Sequence, residues 1–301
     1  MAMDIQRLRY FLEVARQKSF SRAAEICHVS QPSLSQQIKK LEEEVDGPLF
    51  LRSPQGIKLS ALGTSFLEYA QSILASVSSA EEFIAENRSQ ARRTIRFGAI
   101  PTIAPYLVPR VFAALRERQS DTKLELREDR TEFITESLRE GSIDFALLSP
   151  PTSIEGACDH LTLLRDELML TMEADHPLSR ARRISPGQLA RETIIILGDA
   201  HCLSRQTSAY CSSLGLAPDV TIQGSQIETL LRLVELGFGM AFTPQIAVQA
   251  GHHPQLAFRR LTKLACHREV RLVWMRQSIL SSTMRQTIQV LAEHFGVSKP
   301  H

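Results

Sequence analysis

Three short apolar stripes of helical period, divided by a polar break and a four-residue turn, occupy the first 45 residues and restrict what this chain can fold into. Leu8, Phe11, Leu12 and Ala15 recur on one face of a first helix. Lys18-Ser19-Phe20-Ser21 interrupts it. Ser21 is placed to cap a second helix over Arg22–Cys27, whose small Ala23-Ala24 pair lets another helix come close. His28-Val29-Ser30-Gln31 is a turn, and Pro32 suits the first position of a third helix, where its missing N–H has no partner to lose. Leu34, Ile38, Leu41 and Val45 form that helix's inward stripe, so Ser33, Ser35, Gln36, Lys39 and Lys40 point outward, with Gln31 and Pro32 where the turn meets the helix. Short polar and cationic side chains are the types that reach base edges and phosphates in a major groove. A merely solvated helix face has the same composition, but helix, short helix, turn and helix in succession is the helix-turn-helix arrangement, and it favours double-stranded operator DNA as a partner. Met1–Lys40 also carries seven Lys/Arg against three Asp/Glu, a mild local excess for phosphate contact.

Pro48 to Ser60 reads as two short strands around a Pro-Gln-Gly turn, with Arg52 and Lys58 on the hairpin; beside a helix-turn-helix such a hairpin is a wing. Leu62, Phe66, Tyr69, Ile73, Ala80 and Phe83 then keep near-heptad spacing over a helix running to about Ala91, with Leu67, Ala70, Leu74, Val77 and Ile84 alongside. So wide a stripe wants a partner, either within the chain or in a second copy, and two-fold DNA readers need two copies. From Thr94 the pattern changes to short apolar runs alternating with helices: Ile95–Ile100, Lys123–Arg127, Ile143–Leu148, Leu161–Met172, Thr193–Leu197, Val220–Gln223, Met240–Phe242 and Val270–Met275. Alternation of this kind predicts parallel or mixed sheets covered by helices, and about 205 residues suffice for two lobes. The expected organisation is an α+β multidomain chain: a winged helix-turn-helix over 1–60, a linker and dimerisation helix over 61–92, and a two-lobed α/β effector domain over 93–301. Lobe I takes 93–163 and 269–301 and lobe II 164–268, with crossings near Leu163 and Val270.

At 301 residues, 43% hydrophobic and 23% charged, the chain has the composition of a soluble globular protein, and no run approaches the ~20 apolar residues of a membrane span. Met1–Ser19 lacks the cationic and apolar blocks of an export signal, which makes the cytoplasm the expected compartment. Five cysteines, at 27, 158, 202, 211 and 266, do not resemble the disulfide framework of a small secreted domain. Cys27-His28, His252-His253 and Cys266-His267 lack metal-ligand spacing, so neither metal nor cofactor is expected. His176-Pro177 reads as a turn.

The run from Phe20 to Glu42, Phe-Ser-Arg-Ala-Ala-Glu-Ile-Cys-His-Val-Ser-Gln-Pro-Ser-Leu-Ser-Gln-Gln-Ile-Lys-Lys-Leu-Glu, resembles the signature of LysR-type transcription regulators, and the resemblance extends over essentially the whole chain. It implies a winged helix-turn-helix, a long linker helix, an effector domain like a periplasmic binding protein, a homodimer assembling to a homotetramer, and RNA polymerase as a further partner. Two stretches, Gly98-Ala-Ile-Pro-Thr-Ile-Ala-Pro-Tyr-Leu-Val-Pro and Gly198-Asp-Ala-His-Cys-Leu-Ser-Arg-Gln-Thr-Ser-Ala-Tyr-Cys, resemble the peroxide-sensing branch of that family. That branch implies Cys202 as the thiol that meets hydrogen peroxide and Cys211 as the thiol that resolves it. It also implies Thr102, Thr131 and His201 as groups holding peroxide or its water, with Arg276 nearby. The chain departs from the branch at Ala200, before the histidine, and at Ser204-Arg205, where a cation is shifted by one position and an acid is lost.

A sensor thiol needs access and a lowered pKa, which a helix N-terminus and a neighbouring His or Arg supply. If 202–211 is helical, nine steps of ~1.5 Å separate the two Cα atoms by ~13 Å, whereas a disulfide needs about 4.4–6.8 Å. The bond then requires local unfolding, which is a usable switch. The plainer alternative makes Cys202 and Cys211 two free packing cysteines, as Cys27, Cys158 and Cys266 look to be. Thr102 and Thr131 each follow a strand and precede a helix, a place that serves a small organic effector as well as peroxide. Two other functions are open on sequence: a regulator whose cleft binds an organic acid without redox chemistry, and a thiol peroxidase. The DNA reader makes catalysis a poor use of the chain, so an enzyme is not expected.

Overall fold

The structure of the chain is a computed structural model that describes residues 3–53, 56–87, 93–198, 202–216, 220–222, 226–261, 266–276 and 280–298. It divides into two compact units, one holding Met1–Ser89 and the other Gln90–Leu138, Ser142–Arg276 and Leu280–His301.

The first unit runs α1 (Ile5–Gln17), α2 (Phe20–Ile26), α3 (Gln31–Glu44), β1 (Phe50–Ser53), β2 (Gly56–Leu59) and α4 (Ala61–Asn87). The Asp4 side chain caps α1 by accepting from the Gln6 N–H at 2.8 Å, and Lys18 ends the helix in the left-handed region. Ser19, not Ser21, caps α2: its hydroxyl accepts from the Arg22 N–H at 3.4 Å, so the helix starts at Phe20 and takes that ring into the core. Ser30 caps α3 in the same way, and with Gln31 as the first helical residue Pro32 falls at the second position, which tolerates its missing N–H equally. Leu8, Phe11, Val14, Ala23, Leu34, Ile38 and Leu41 are buried between the three helices with Leu49 and Ala70. The Phe11 ring meets those of Phe50 and Phe66, each at 5.3 Å between centroids.

β1 and β2 pair antiparallel from Phe50↔Leu59 to Ser53↔Gly56. Glu42 Oε1 fastens this hairpin to α3 by accepting from the N–H groups of Leu49 (2.8 Å) and Phe50 (3.2 Å). Ser60 donates to the Pro48 carbonyl at 2.5 Å and accepts from the Gly63 N–H at 2.8 Å, which starts α4. A Cβ on Gly63 would stand 2.0 Å from the Leu49 carbonyl oxygen, so only glycine permits this approach.

The second unit runs β3 (Thr94–Ala99), α5 (Ala104–Arg118), β4 (Lys123–Glu128), α6 (Thr131–Arg139), β5 (Phe145–Leu148), β6 (Cys158–Glu173), α7 (Pro186–Leu189), β7 (Ile194–Leu197), α8 (Cys202–Ser213), β8 (Val220–Ile222), α9 (Ile227–Glu235), β9 (Met240–Pro244), α10 (Gln245–Ala250), β10 (Leu256–Arg259), β11 (His267–Met275) and α11 (Ser282–Phe295). Its sheet has the order β4-β3-β5-β11-β6-β9-β7-β8, with β10 on β6. β3 lies parallel to both β4 and β5, and β7 to β8 and β9, while β6 and β11 are antiparallel to each other. β6 belongs to both lobes. Up to Glu167 it pairs with β11, and from Leu168 it pairs with β9 and β10. The change of partner falls a few residues beyond Leu163, and β11 returns at His267. Each lobe has its own core, Phe97, Phe145, Leu147, Leu272 and Trp274 in one and Leu170, Ile195, Leu231, Val234 and Phe242 in the other. β5 and β7 are buried at every position, as strands covered on both faces must be, which is why they read as unbroken apolar runs. β10, a four-residue strand with a single buried position, has no such signal and went unread.

Phe11→Ala is expected to cost the first unit ~3–5 kcal/mol, the range for emptying a buried phenylalanine site. The chain's one tryptophan, Trp274, lies in the second unit, so the two can be followed separately. In urea, an early helix transition by circular dichroism should appear while the Trp274 fluorescence midpoint stays put. A single unshifted transition in both signals contradicts the core assignment.

Candidate sensing site and DNA-reading face

The outward face of α3 stands as its periodicity requires: Gln31, Pro32, Ser33, Gln36, Lys39 and Lys40 are exposed and Ser35 is half-buried, over buried Leu34, Ile38 and Leu41. Gln31 donates to the Ser35 hydroxyl at 3.2 Å, and Lys39 lies 3.9 Å from Glu43 with both side chains open to water, a pairing weak enough to yield to a phosphate. Lys58 is exposed on β2. Arg52 lies opposite Ile57 in the hairpin, and its side chain is outside the described residues.

In the second unit, Ala99 and Glu128 are register partners at the carboxyl ends of parallel β3 and β4, and Thr102 and Thr131 each come three residues later. Both threonines therefore sit at the strand ends where open α/β sheets form their clefts, Thr102 before α5 and Thr131 as the first residue of α6. Both are buried.

Thr102 is not open to the cleft on all sides. Arg268 donates through Nη1 to its hydroxyl (3.1 Å) and through Nη2 to its carbonyl (3.0 Å), while Nε donates to Asp166 Oδ2 at 2.9 Å. Asp166 and Arg268 are register partners on β6 and β11, with side chains 0% and 1% exposed. Asp166 Oδ1 accepts from the Ile246 N–H in the first turn of α10 at 3.0 Å. One buried ion pair thus ties a lobe I loop, the two crossing strands and a lobe II helix. Sequence reasoning passed over both residues, although the charged triplet Arg165-Asp166-Glu167 stands between apolar runs, and a charge held inside such a strand calls for a partner.

Arg276 is elsewhere. It donates to Asp159 Oδ1 (2.8 Å) and to the carbonyls of Gly156 (3.4 Å) and Cys158 (3.2 Å), on an open cavity of about 680 Å³ in lobe I that Trp274 and Arg285 also line. Eight residues of strand, about 26 Å, separate its position from that of Arg268. The arginine that reaches Thr102 is Arg268, and the large cavity is not the strand-end cleft.

α8 follows β7 and begins at Cys202, whose side chain lies outside the described residues, as does His201 altogether. Ser204, at the place where the chain departs from its resembled branch, is buried and donates to the Gly198 carbonyl at 2.5 Å, tying the first turn of α8 back to the end of β7. Arg205 is exposed. Gln206 reaches lobe I, where its Nε2 donates to the Ser149 hydroxyl at 3.1 Å and the Pro150 carbonyl at 2.5 Å, just past the carboxyl end of β5. Cys211, on the same unbroken helix, is fully buried, and burial pushes its thiol up to about 11. Burial likewise raises Cys266 and takes Tyr210 up to about 12, and the charge that Cys266 and Cys211 would carry if ionised adds to the Tyr210 shift. Cys266 packs against the lobe II core that contains Cys211.

Two family models match the chain: residues 5–64 fit the bacterial regulatory helix-turn-helix protein, lysR family, and residues 88–296 fit the LysR substrate binding domain. A hydrogen peroxide-inducible genes activator from Dickeya chrysanthemi is 30% identical over 298 residues, covering 97% of this chain and 96% of that protein. Among solved structures, a cysteine-to-aspartate variant of full-length OxyR from Pseudomonas aeruginosa matches with a TM-score of 0.73 at 27% identity, over 100% of this chain and 98% of that one. A hydrogen-peroxide-bound cysteine-to-serine variant of Corynebacterium glutamicum OxyR matches at 0.61 and 27% identity, over 98% and 95%. The DNA-reading fold, the two-lobed domain and these matches agree: the chain belongs to the LysR family of bacterial transcription regulators.

Proposed function

We propose that this LysR-type regulator senses hydrogen peroxide through Cys202 and passes the change to operator DNA. The observation that carries the reading is α8: it starts at Cys202, in the chain segment that follows β7, and runs unbroken to a second, buried cysteine nine residues on. The names of the similar activators, at about this chain's full length, support the same chemistry. A helix N-terminus favours a thiolate. The Cys202 thiolate attacks one peroxide oxygen, the O–O bond breaks, and hydroxide leaves to be protonated by solvent, giving a sulfenic acid. Cys211 then attacks that sulfur; an S–S bond forms, the S–O bond breaks, and the thiol proton leaves with the hydroxide as water. Thr102, Thr131 and His201 hold the oxidant, with Arg268 rather than Arg276 ordering Thr102.

On this reading 1–60 reads DNA, 61–92 joins two copies and 93–301 senses. The joining face is on α4, where Leu62, Tyr69 and Ile73 are exposed, Tyr69 at 70%, although they belong to an apolar heptad stripe. Pairs of such dimers make a tetramer that addresses RNA polymerase.

Stoichiometric hydrogen peroxide on the reduced protein, followed by peptide mass mapping of all five cysteines, should show a Cys202 sulfenic acid or a Cys202–Cys211 disulfide. Unmodified Cys202 at that dose sinks the reading and leaves a regulator that binds an organic effector in the cleft.

Because burial raises the Cys211 thiol to about 11 from an ordinary 9.0, its thiolate fraction at pH 8 falls about 100-fold, and iodoacetamide should leave it unlabelled until the protein unfolds. The folded value is the higher one, so this group's contribution to stability is complete below about pH 9 and is lost as pH rises through about 11. Rapid labelling of Cys211 in the folded, reduced protein at pH 8 contradicts its burial.

Replacing Lys39, Lys40 or Lys58 singly should lower the slope of log affinity against log salt by about one unit for every DNA sequence. An unchanged slope removes that residue from the interface.

A further inference from the structure

The conflict in α8 falls on Gln206. Any route that brings Cys202 and Cys211 from ~13 Å to bonding distance unwinds the helix between them, and Gln206 is four residues past one and five before the other. It is also the residue whose amide holds lobe I, with Nε2 on Ser149 Oγ at 3.1 Å and on the Pro150 carbonyl at 2.5 Å. Ser149 is fully buried just past the end of β5, the strand that pairs with β3, and the β3 end leads to Thr102. The other half of the amide is unsatisfied: Gln206 Oε1 is buried without a hydrogen-bond partner among the described residues. An amide that has satisfied its donor and left its acceptor dry loses less on release than a fully bonded one, because water meets the acceptor when it leaves. Arg268 makes the contrast: every bond it makes lies outside α8.

We infer that Gln206 is the tether by which α8 holds lobe I, so that closing the Cys202–Cys211 disulfide frees the Ser149–Pro150 segment while the Arg268–Asp166 pair remains as the pivot. The inference rests on the disulfide of the proposed sensing reaction, not on which oxidant makes it. Gln206 is a positioning residue. It acts on lobe I through Ser149 and Pro150 and takes no part in the sulfur chemistry.

Hydrogen–deuterium exchange on the full-length protein tests it, with the disulfide made by diamide, a thiol oxidant independent of peroxide, and verified by peptide mass. Gln206→Glu keeps the side chain's shape and removes both N–H donors. In the reduced variant, residues 145–152 should exchange about tenfold faster than in reduced wild type, matching diamide-treated wild type, and oxidation should add nothing further. Ser149→Ala, which removes one acceptor from the other side, should move exchange in the same direction by a smaller factor and stands in if Gln206→Glu fails to fold. A merely structural role would loosen the variant and still leave it responsive to oxidation, and that result overturns the proposal. So does wild type that keeps 145–152 protected with the disulfide formed, or a folded chain in which diamide forms no such bond. If diamide releases the segment but peroxide leaves Cys202 untouched, the tether stands and the peroxide reading alone falls.

Discussion

Taking a guanidinium and a carboxylate out of water costs several kcal/mol per ion, and the attraction between them offsets this only where the remaining hydrogen-bonding capacity is also filled. Asp166 and Arg268 meet that condition. The guanidinium spends its donors on Asp166 and on both oxygens of Thr102, and the second carboxylate oxygen takes the N–H that opens α10. Removing either partner would strand a charge in a site closed to solvent, at about 3–5 kcal/mol. The pair therefore fixes more than its own geometry. β6 and β11 are where the chain passes between lobes, and with these two side chains locked across them the loop after β3 and the start of α10 hold a common register. The strand-end cleft is built from that register, since the ends of β3 and β4 carry the two threonines.

Against this fixed point, α8 is poised differently. Its first turn is tied to its own lobe by Ser204 on Gly198 and its second to the other lobe by Gln206. Its later turns bury Cys211 and set Tyr210 against Phe242 at 5.0 Å. A buried thiol at the far end of a helix is inert, both because its proton is held and because its partner is about 13 Å away. Both barriers vanish together if the helix opens. In the proposed reaction, that coupling would keep the second thiol from reacting before the first has been oxidised.

Much of the fold was legible because periodicity reports burial, and burial organises this chain. The stripe Leu34, Ile38, Leu41 gave the outward face of α3, and the unbroken runs at 145–148 and 194–197 gave buried parallel strands. The misses share a physical origin: a boundary or a pair that depends on a partner distant in sequence or on backbone detail. Ser19 and Ser21 are equally good caps by composition, and only the path of the chain at Phe20 decides between them. Arg276 and Arg268 are both cations near the end of the chain. Which one meets Thr102 depends on the antiparallel register of β11 with β6, which puts Arg268 opposite Asp166 and Arg276 beyond the far end of that pairing. Gln206 carried no signal, because a glutamine on a helix is ordinary until Ser149 and Pro150 are placed beside it.

The two polar links between the lobes described above, those of Arg268–Asp166 and Gln206 among the described residues, also divide the labour in a way that burial alone would not predict. A cleft held by two fully satisfied charged bridges would be rigid and unresponsive; one held by neutral amides alone would fluctuate without a defined axis. Here the charged link is complete, lies on the crossing strands and involves no residue of α8. The neutral link is incomplete, with Gln206 Oε1 unpaired among the described residues, and lies on a helix that cannot keep its shape with its two cysteines joined. If α8 opens as proposed, the link that yields is the one at Gln206, and the one that stays is the Asp166–Arg268 pair.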